Sequence, residues 1–385
     1  MSDSVTIFLS AGEASGDQHG AELARSLRRQ LPDVRLVGLG GSEMAEAGVE
    51  LIAGLDRLAI LGFAEVIRHL PDMLRLRREV RERFERESVD LFVPIDYPGF
   101  NLPMARWAHD RGTPVVYYIA PQVWAWHESR AKRLAEFSDE VCVVLPFEEE
   151  FLRRYGANAR FVGHPLLDRV GPLEPERADG SSRMTPVGGG RSDRPVLGLF
   201  PGSREQEVRR MLPVFLEAAQ RLSATRPDLQ LRVARSRDLS PALFDGCPTG
   251  TVSTPEEVAS TSTAAITKSG TITLQLALND VPMVVGYRVN RSTAMLARRL
   301  LRIPHIALVN LVAEREVVPE RVQERMTSEE LARAAEPLLD TGSPERREVL
   351  DGLAFVRSRL GEPGAAERVA RRCVVALRKT RGAAS

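Results

Sequence analysis

The sequence predicts an α/β protein built from two Rossmann-like domains that face a central cleft, and three observations lead to this prediction. The chain has 385 residues, which is too long for one ordinary hydrophobic core and suits two domains. Its hydrophobic content of 43% and charged fraction of 27% are typical of a soluble globular protein. In both halves, short apolar runs ending in small, polar turns alternate with amphipathic helical patterns, as parallel sheets require.

Composition and charge argue against several classes of function. A formal net charge of +1 gives no reason to expect nucleic acid as a partner. The three cysteines, Cys142, Cys247 and Cys373, lack metal-ligand spacing and suit a reducing cytoplasm. No run of about 18 apolar residues occurs, so no membrane span is expected, and the apolar run at residues 5–9 is too short for an N-terminal targeting signal.

The first half opens with a predicted buried strand at residues 5–9, followed by a turn of small and polar residues at 10–20. This turn lacks the G-x-G-x-x-G pattern of dinucleotide-binding proteins. Its acids, Glu13 and Asp17, would repel a phosphate and suit the hydroxyl groups of a sugar. The alternative is a loop shaped only to reverse the chain.

Residues 55–87 carry apolar side chains at helical spacing with arginines between them. A basic amphipathic helix can lie on an anionic membrane surface. The glutamates among the later arginines favour instead a helix packed on the sheet with a solvated charged face. The apolar part, residues 58–74, is the better candidate for contact with a membrane or acyl chains.

A later strand, residues 90–96, ends on Asp96. Ligands of open α/β sheets bind beyond the carboxyl ends of the strands, so this acid could act as a general base or hold a hydroxyl group. The alternative is a cap for the helix beginning near Leu102. The next strand, 115–119, leads to two tryptophans and a histidine at 124–127, which suit a sugar face, a lipid–water boundary or the core.

The second half centres on residues 264–286, which read as strand, small-residue turn, helix and strand. Backbone N–H groups at the start of a helix attract phosphate. In this turn Ser269 and Thr271 add hydroxyl donors, and Gly270 lets the backbone come close to the ligand. The alternative is an ordinary helix cap. The exit turn of an earlier strand carries Arg204, whose guanidinium would bind a diphosphate in the same crevice.

Ten motifs keep their order over residues 5–340. They are SAGEASGD at 10–17, IDYPGFN at 95–101, PQVWAW at 121–126, LPFE at 145–148, FVGHP at 161–165, LFPGSR at 199–204, SGT at 269–271, PMVVGYR at 282–288, NL at 310–311 and VPERVQ at 318–323. With these motifs the chain resembles the lipid-A-disaccharide synthase family.

The resemblance implies an inverting glycosyltransferase of the GT-B architecture that needs neither cofactor nor metal. It would move 2,3-diacylglucosamine from its UDP carrier to 2,3-diacylglucosamine 1-phosphate, forming the lipid A disaccharide 1-phosphate and UDP. It would work peripherally at the cytoplasmic face of the inner membrane, and the resemblance allows a homodimer. The expected organisation is an acceptor domain at 1–170, a linker at 171–194, a UDP-sugar domain at 195–345, and helices at 346–385 that pack on the first domain.

The resemblance also implies a set of site residues, with Asp96 as the catalytic base. The expected acceptor-binding residues are Glu13, Ser15, Gly16, Asp17 and Asn101. The expected UDP-binding residues are Ser203, Arg204, Ser269, Gly270, Thr271, Gln275, Asn310 and Glu320.

Three departures from the family pattern affect these expectations. Gly99 stands where the family usually has a second acid, which concentrates the base role on Asp96. Gln275 stands where the family usually has glutamate. Its amide oxygen can still accept hydrogen bonds from the ribose hydroxyls, but it carries no negative charge. Residues 232–261 match the family poorly. Two other functions remain open: a UDP-sugar epimerase of the same architecture and a non-catalytic lipid-binding protein of the membrane surface.

Overall fold

A computed structural model describes residues 5–55, 57, 70–126, 128–170, 194–290 and 304–383. The chain forms two compact units, the first made of Met1–Arg169 and Gly361–Ser385 and the second of Val170–Leu360. Residues 171–193 of the predicted linker and residues 58–69 of the predicted 58–74 lipid surface lie outside the described residues.

The first unit contains a seven-stranded parallel sheet in the order β3-β2-β1-β4-β5-β6-β7. Its strands are β1 Thr6–Ala11, β2 Arg35–Leu39, β3 Glu50–Ala53, β4 Leu91–Ile95, β5 Val116–Tyr118, β6 Glu140–Val143 and β7 Ala159–Phe161. The central strands β1 and β4 are buried throughout, since helices cover both faces of such a sheet. The strand order reverses between β1 and β4, and ligands of open α/β sheets bind at that point.

Eight helices follow these strands in the described part of the first unit before the chain enters the second. They are α1 Ala14–Gln30, α2 Ser42–Glu46, α3 Leu70–Arg86, α4 Pro98–His109, α5 Val123–Trp126, α6 Glu128–Phe137, α7 Pro146–Arg154 and α8 Leu166–Val170. The turn predicted at 10–20 is shorter than expected, because α1 already begins at Ala14. Its small residues allow close packing: a Cβ added to Gly16 would lie 3.2 Å from the Cβ of Ala11.

The second unit contains a six-stranded parallel sheet in the order β10-β9-β8-β11-β12-β13. Its strands are β8 Val196–Phe200, β9 Gln230–Ala234, β10 Val252–Ser253, β11 Ala264–Thr267, β12 Met283–Tyr287 and β13 Glu320–Val322. Its helices are α9 Glu205–Thr225, α10 Pro255–Thr261, α11 Ile272–Leu278, α12 Leu308–Ala313, α13 Ser328–Ala335 and α14 Pro344–Arg359, with short 3₁₀ turns at Pro241–Phe244, Gln323–Arg325 and Pro337–Leu339. The strand order reverses between β8 and β11.

The two C-terminal helices belong to different units, whereas the sequence analysis expects residues 346–385 to pack together on the first domain. Helix α14 stays in the second unit, where Arg357 donates to the carbonyl of Ala277 at 2.9 Å. The last helix, α15 (Ala365–Ala383), lies in the first unit. There the guanidinium of Arg372 forms a bidentate pair with buried Glu140 on β6, with an Nη2–Oε2 distance of 2.6 Å.

Candidate active site

Asp96 lies directly after β4, beside the reversal of strand order in the first sheet. Asp96 and Tyr97 both adopt the left-handed backbone conformation, with φ of +45° and +49°. Such strain persists only where neighbouring contacts hold it, and it clusters at functional sites. Here the Asp96 N–H donates to the Tyr118 carbonyl at 3.0 Å, and the Asp96 carbonyl accepts from the Tyr117 hydroxyl at 2.9 Å. These contacts fix the backbone and leave the carboxyl group for other chemistry.

The Asp96 carboxyl has an unusually high proton affinity. Burial raises its pKa to about 6, the negative charge of Glu13 adds to the rise, and the backbone N–H of Tyr97 opposes it. Glu13 follows β1, the strand on the other side of the reversal. The charges of these two predicted acids therefore interact. A pKa near neutrality suits a general base.

Tyr97 and Gly12 bring the loops after β4 and β1 into contact. A Cβ added to Gly12 would lie 2.2 Å from the Tyr97 ring, so only glycine fits beneath the ring. Of the predicted residues that follow Gly12, Ser15 is exposed in the first turn of α1, and Gly16 is buried against Ala11. No role was predicted for Tyr97. In the sequence, only its position between Asp96 and a Pro-Gly turn indicated that it could belong to the site.

Asp17 has a structural role that differs from the predicted contact with the acceptor. Its side chain is buried and accepts backbone N–H groups from Gly41 at 2.6 Å, Glu43 at 3.1 Å and Met44 at 3.1 Å. These are unpaired donors at the start of α2, so the carboxylate caps that helix. Asp17 therefore joins the loops after β1 and β2 and has little capacity left for a sugar.

Asn101 also supports the site instead of binding the acceptor directly. It is buried in α4, and its Oδ1 accepts from the Ser10 hydroxyl at 2.6 Å. Its Nδ2 donates to the carbonyls of Ser10 at 3.0 Å and Asp96 at 2.8 Å. The amide thus ties β1 to the residue after β4 and positions Asp96.

An ion pair in the second unit joins the first turn of α9, which follows β8, to the loop after β11 at the reversal of strand order. Lys268 Nζ lies 3.1 Å from Glu207 Oε1, and both side chains are mostly buried. The other oxygen of Glu207 accepts the Ser203 N–H at 3.2 Å. Gly202 is required here, because its φ is +130° and a Cβ would lie 2.5 Å from Glu207. Exposed Arg204, at the start of the 21-residue helix α9, is therefore held beside the β11 loop.

The loop after β11 carries the predicted residues Ser269, Gly270 and Thr271 next to one another. The Ser269 hydroxyl donates to the Ile306 carbonyl at 2.5 Å, so it can offer only its lone pairs to a ligand without rearranging. Gly270 has φ of +152°, which favours glycine, and Thr271 is exposed. Gln275 follows on α11 with a partly exposed side chain.

Asn310 and Glu320 stabilise the loop around Ile306. Their side chains are used in these internal contacts, whereas the sequence predicts that they bind UDP. Asn310 is buried, and its Nδ2 donates to the Val318 carbonyl at 2.9 Å and to Glu320 Oε1 at 2.8 Å. The carboxylate of Glu320 accepts the N–H groups of Ile306 at 3.1 Å and Ala307 at 2.9 Å. Through Ile306 these contacts support the loop that receives the Ser269 hydroxyl.

Comparison with known proteins decides the family. A family model described as lipid-A-disaccharide synthetase matches residues 7–359. The chain belongs to the lipid-A-disaccharide synthase family. The lipid-A-disaccharide synthase of Myxococcus xanthus is 39% identical over 377 residues, covering 96% of this chain and 97% of that protein. The enzyme of Geobacter sulfurreducens is 40% identical over 372 residues, covering 94% and 95%. Family membership makes the chain a glycosyltransferase of lipid A synthesis that acts on a UDP-sugar and a lipid acceptor.

Solved structures share the fold at low sequence identity. The calicheamicin glycosyltransferase CalG4 matches with a TM-score of 0.59 and 19% identity, covering 98% of this chain and 99% of that one. A UDP-N-acetylglucosamine 2-epimerase described as putative, from Listeria monocytogenes, matches with a TM-score of 0.63 and 13% identity, covering 95% of each chain. These matches confirm the predicted α/β class with two Rossmann-like sheets of the GT-B type. No helix in the described part of this synthase-family chain has the length and apolar content needed to cross a membrane.

Proposed function

We propose that this lipid-A-disaccharide synthase family member transfers 2,3-diacylglucosamine from UDP-2,3-diacylglucosamine to 2,3-diacylglucosamine 1-phosphate with inversion. The products are a β-1,6-linked disaccharide 1-phosphate and UDP. The observation that carries the proposal is a division of charge between the two units. Acids lie at the reversal of strand order in the first sheet, and exposed Arg204 lies at the reversal in the second, where the charge of Lys268 is balanced by Glu207. Acids suit the hydroxyl groups of an acceptor, and cations suit a diphosphate.

Asp96 serves as the general base in this proposal. The acceptor 6-hydroxyl oxygen attacks the anomeric carbon of the donor while the bond from that carbon to the UDP oxygen breaks. The hydroxyl proton passes to the Asp96 carboxylate, whose pKa of about 6 leaves it mostly ionised at neutral pH. Glu13 and Ser15, in the loop and helix turn after β1, line the acceptor side, while Gly16 lets α1 pack closely against Ala11.

The second unit stabilises the leaving UDP. The Arg204 guanidinium and the N-terminus of α9 provide positive charge for the diphosphate. Backbone and hydroxyl groups of Ser203, Ser269 and Thr271 provide further contacts, and Gly270 permits close approach of the backbone. Gln275 accepts from the ribose hydroxyls through its amide oxygen.

Membrane association is part of the same proposal. The acyl chains of both substrates require an apolar surface at the cytoplasmic face of the inner membrane, and we assign it to residues 58–74. In the described part of this stretch Leu74 is 54% exposed, although large apolar side chains are normally buried. A homodimer is compatible with this arrangement and is tested by the molar mass in solution.

Replacing Asp96 by asparagine tests the base assignment, because asparagine keeps the shape and cannot accept the proton. General base catalysis contributes about 10²–10⁴-fold, so kcat should fall by that factor while UDP affinity stays unchanged. The control is Asp110→Asn, which removes an exposed carboxylate after α4 and should leave both quantities unchanged. Unchanged turnover in Asp96→Asn would remove Asp96 from this role.

A further inference from the structure

Glu148, in the first turn of α7, is a buried acid to which the proposed reaction assigns no step. Only 2% of its surface is exposed. One carboxylate oxygen accepts the indole N–H of Trp124 at 3.0 Å, and the other accepts the Leu145 N–H at 3.1 Å. Burying a carboxylate is costly even when both oxygens are hydrogen-bonded, and a solvated acid could make the Leu145 contact that caps α7 at lower cost. The position needs another explanation, and the contact with Trp124 provides one.

Trp124 and Glu148 belong to the same edge of the first sheet as Asp96. Strand β5 pairs with β4, with Tyr118 opposite Ile95, and the chain then turns at Ile119, which has φ of +60°. Trp124 lies five residues after Ile119, in the short helix α5. The charge of Asp96 contributes to raising the pKa of Glu148, although burial is the larger cause. Asp96 follows β4 and Trp124 follows β5, and these two strands are hydrogen-bonded neighbours, so both residues lie at the same edge of the sheet.

The Trp124 indole is fixed in one orientation by two contacts, and the residue is partly exposed. Its only N–H group is used by Glu148, and its ring meets Phe147 edge to face, with centroids 5.1 Å apart and planes at 85°. The residue as a whole is neither fully buried nor fully exposed. A rigid aromatic ring with one accessible part is a surface on which the apolar C–H face of a pyranose can pack.

We propose that Glu148 is a positioning residue that holds the Trp124 indole as the platform on which the acceptor sugar packs while Asp96 receives its proton. The ligand class is a pyranose with its C–H face toward the indole. This inference rests on the proposed function, because it concerns the acceptor of that reaction. Trp124 would contact the sugar directly, and Glu148 would act only through Trp124.

The test compares Trp124→Ala and Glu148→Ala, singly and combined, in disaccharide formation. Loss of an aromatic platform should raise the acceptor KM about tenfold in Trp124→Ala, since one well-formed aromatic contact contributes about a factor of ten in binding. Glu148→Ala should raise the acceptor KM several-fold and have no further effect in the Trp124→Ala background. The affinity for UDP should stay unchanged in all three variants, because the platform touches only the acceptor.

Conservative variants separate positioning from general support of the fold. Glu148→Gln keeps an oxygen that can accept the indole N–H, so it should retain most of the acceptor affinity. Addition of the acceptor should quench tryptophan fluorescence in the wild type and in Trp107→Phe, but much less in Trp124→Phe. The Trp124→Phe measurement does not depend on whether Glu148→Ala folds.

Three outcomes would overturn the inference: an unchanged acceptor KM in Glu148→Ala, full additivity of the two alanine substitutions, or undiminished quenching in Trp124→Phe. Failure of the proposed function is a different result. In that case the wild type itself forms no disaccharide from the two acylated glucosamine substrates.

Discussion

Replacing Glu13 by glutamine should move the pH dependence of turnover in a defined direction. Asp96 must be ionised to act as a base, so activity is lost as pH falls below its pKa of about 6. With that pKa roughly nine-tenths of Asp96 is ionised at pH 7 and one-tenth at pH 5. The charge of Glu13 is the second cause of the raised pKa, after burial. Removing that charge should lower the pKa while burial keeps it above the ordinary value.

The expected shift is about half a pH unit, because Glu13 contributes less than burial to a rise from 3.8 to about 6. A shift of that size means roughly threefold more of the ionised form at pH 5. The assay is UDP release from both acylated substrates between pH 4.5 and pH 8. The shape of the profile is compared, since Glu13→Gln can also change acceptor affinity.

The matched control is Glu46→Gln, which removes an exposed carboxylate at the end of α2 and should leave the profile in place. The reasoning is refuted if the acidic limb of Glu13→Gln coincides with that of the wild type. It is also refuted if both glutamine variants shift the limb equally, because the effect would then come from net charge.

Three further predictions concern other parts of the molecule. Glu140→Gln should destabilise the protein by about 3 kcal/mol in urea unfolding, because it leaves the partly buried charge of Arg372 unpaired. A loss of stability below about 0.5 kcal/mol would contradict this. Gln275→Glu should tighten UDP binding several-fold in calorimetry, since hydrogen bonds to a charged acceptor are stronger, and weaker binding would argue against a ribose contact. The folded-state pKa of Glu148, about 7, lies above its ordinary 4.5, so its stabilising effect is complete below pH 4.5 and lost as pH rises through 7. Relative to the wild type, Glu148→Gln should therefore gain up to about 3 kcal/mol between pH 4.5 and pH 8, and a pH-independent difference would contradict the raised pKa.

Local patterns in the sequence were enough to locate the strands whose exit loops carry the candidate site. The apolar run before Asp96 is the buried strand β4, and the run before Lys268 is β11. The same reasoning does not serve at residues 306–310, an apolar run that also fits a strand, because α12 begins there at Leu308. A short apolar run does not distinguish a buried helix from a strand, and the Glu320 carboxylate that accepts the Ala307 N–H just before this helix lies 13 positions along the chain.

The roles of individual polar residues depended on tertiary contacts that spacing does not encode. Asp17 and Asn310 belong to recognisable motifs, yet their partners are backbone groups of other elements. The sequence analysis also missed the Lys268–Glu207 ion pair, because the two residues are 61 positions apart. The order of the strands, which brings the acidic loops of the first sheet together, likewise follows from packing and has no local signal.

Product analysis with purified substrates tests the central claim most directly. The protein is incubated with UDP-2,3-diacylglucosamine, with and without 2,3-diacylglucosamine 1-phosphate, and UDP and the lipid products are quantified by mass spectrometry and NMR. We predict one UDP for each β-1,6-linked disaccharide 1-phosphate, and neither product when the acceptor is omitted. Epimerised UDP-sugar formed without the acceptor, or lipid binding with no release of UDP, would contradict the claim.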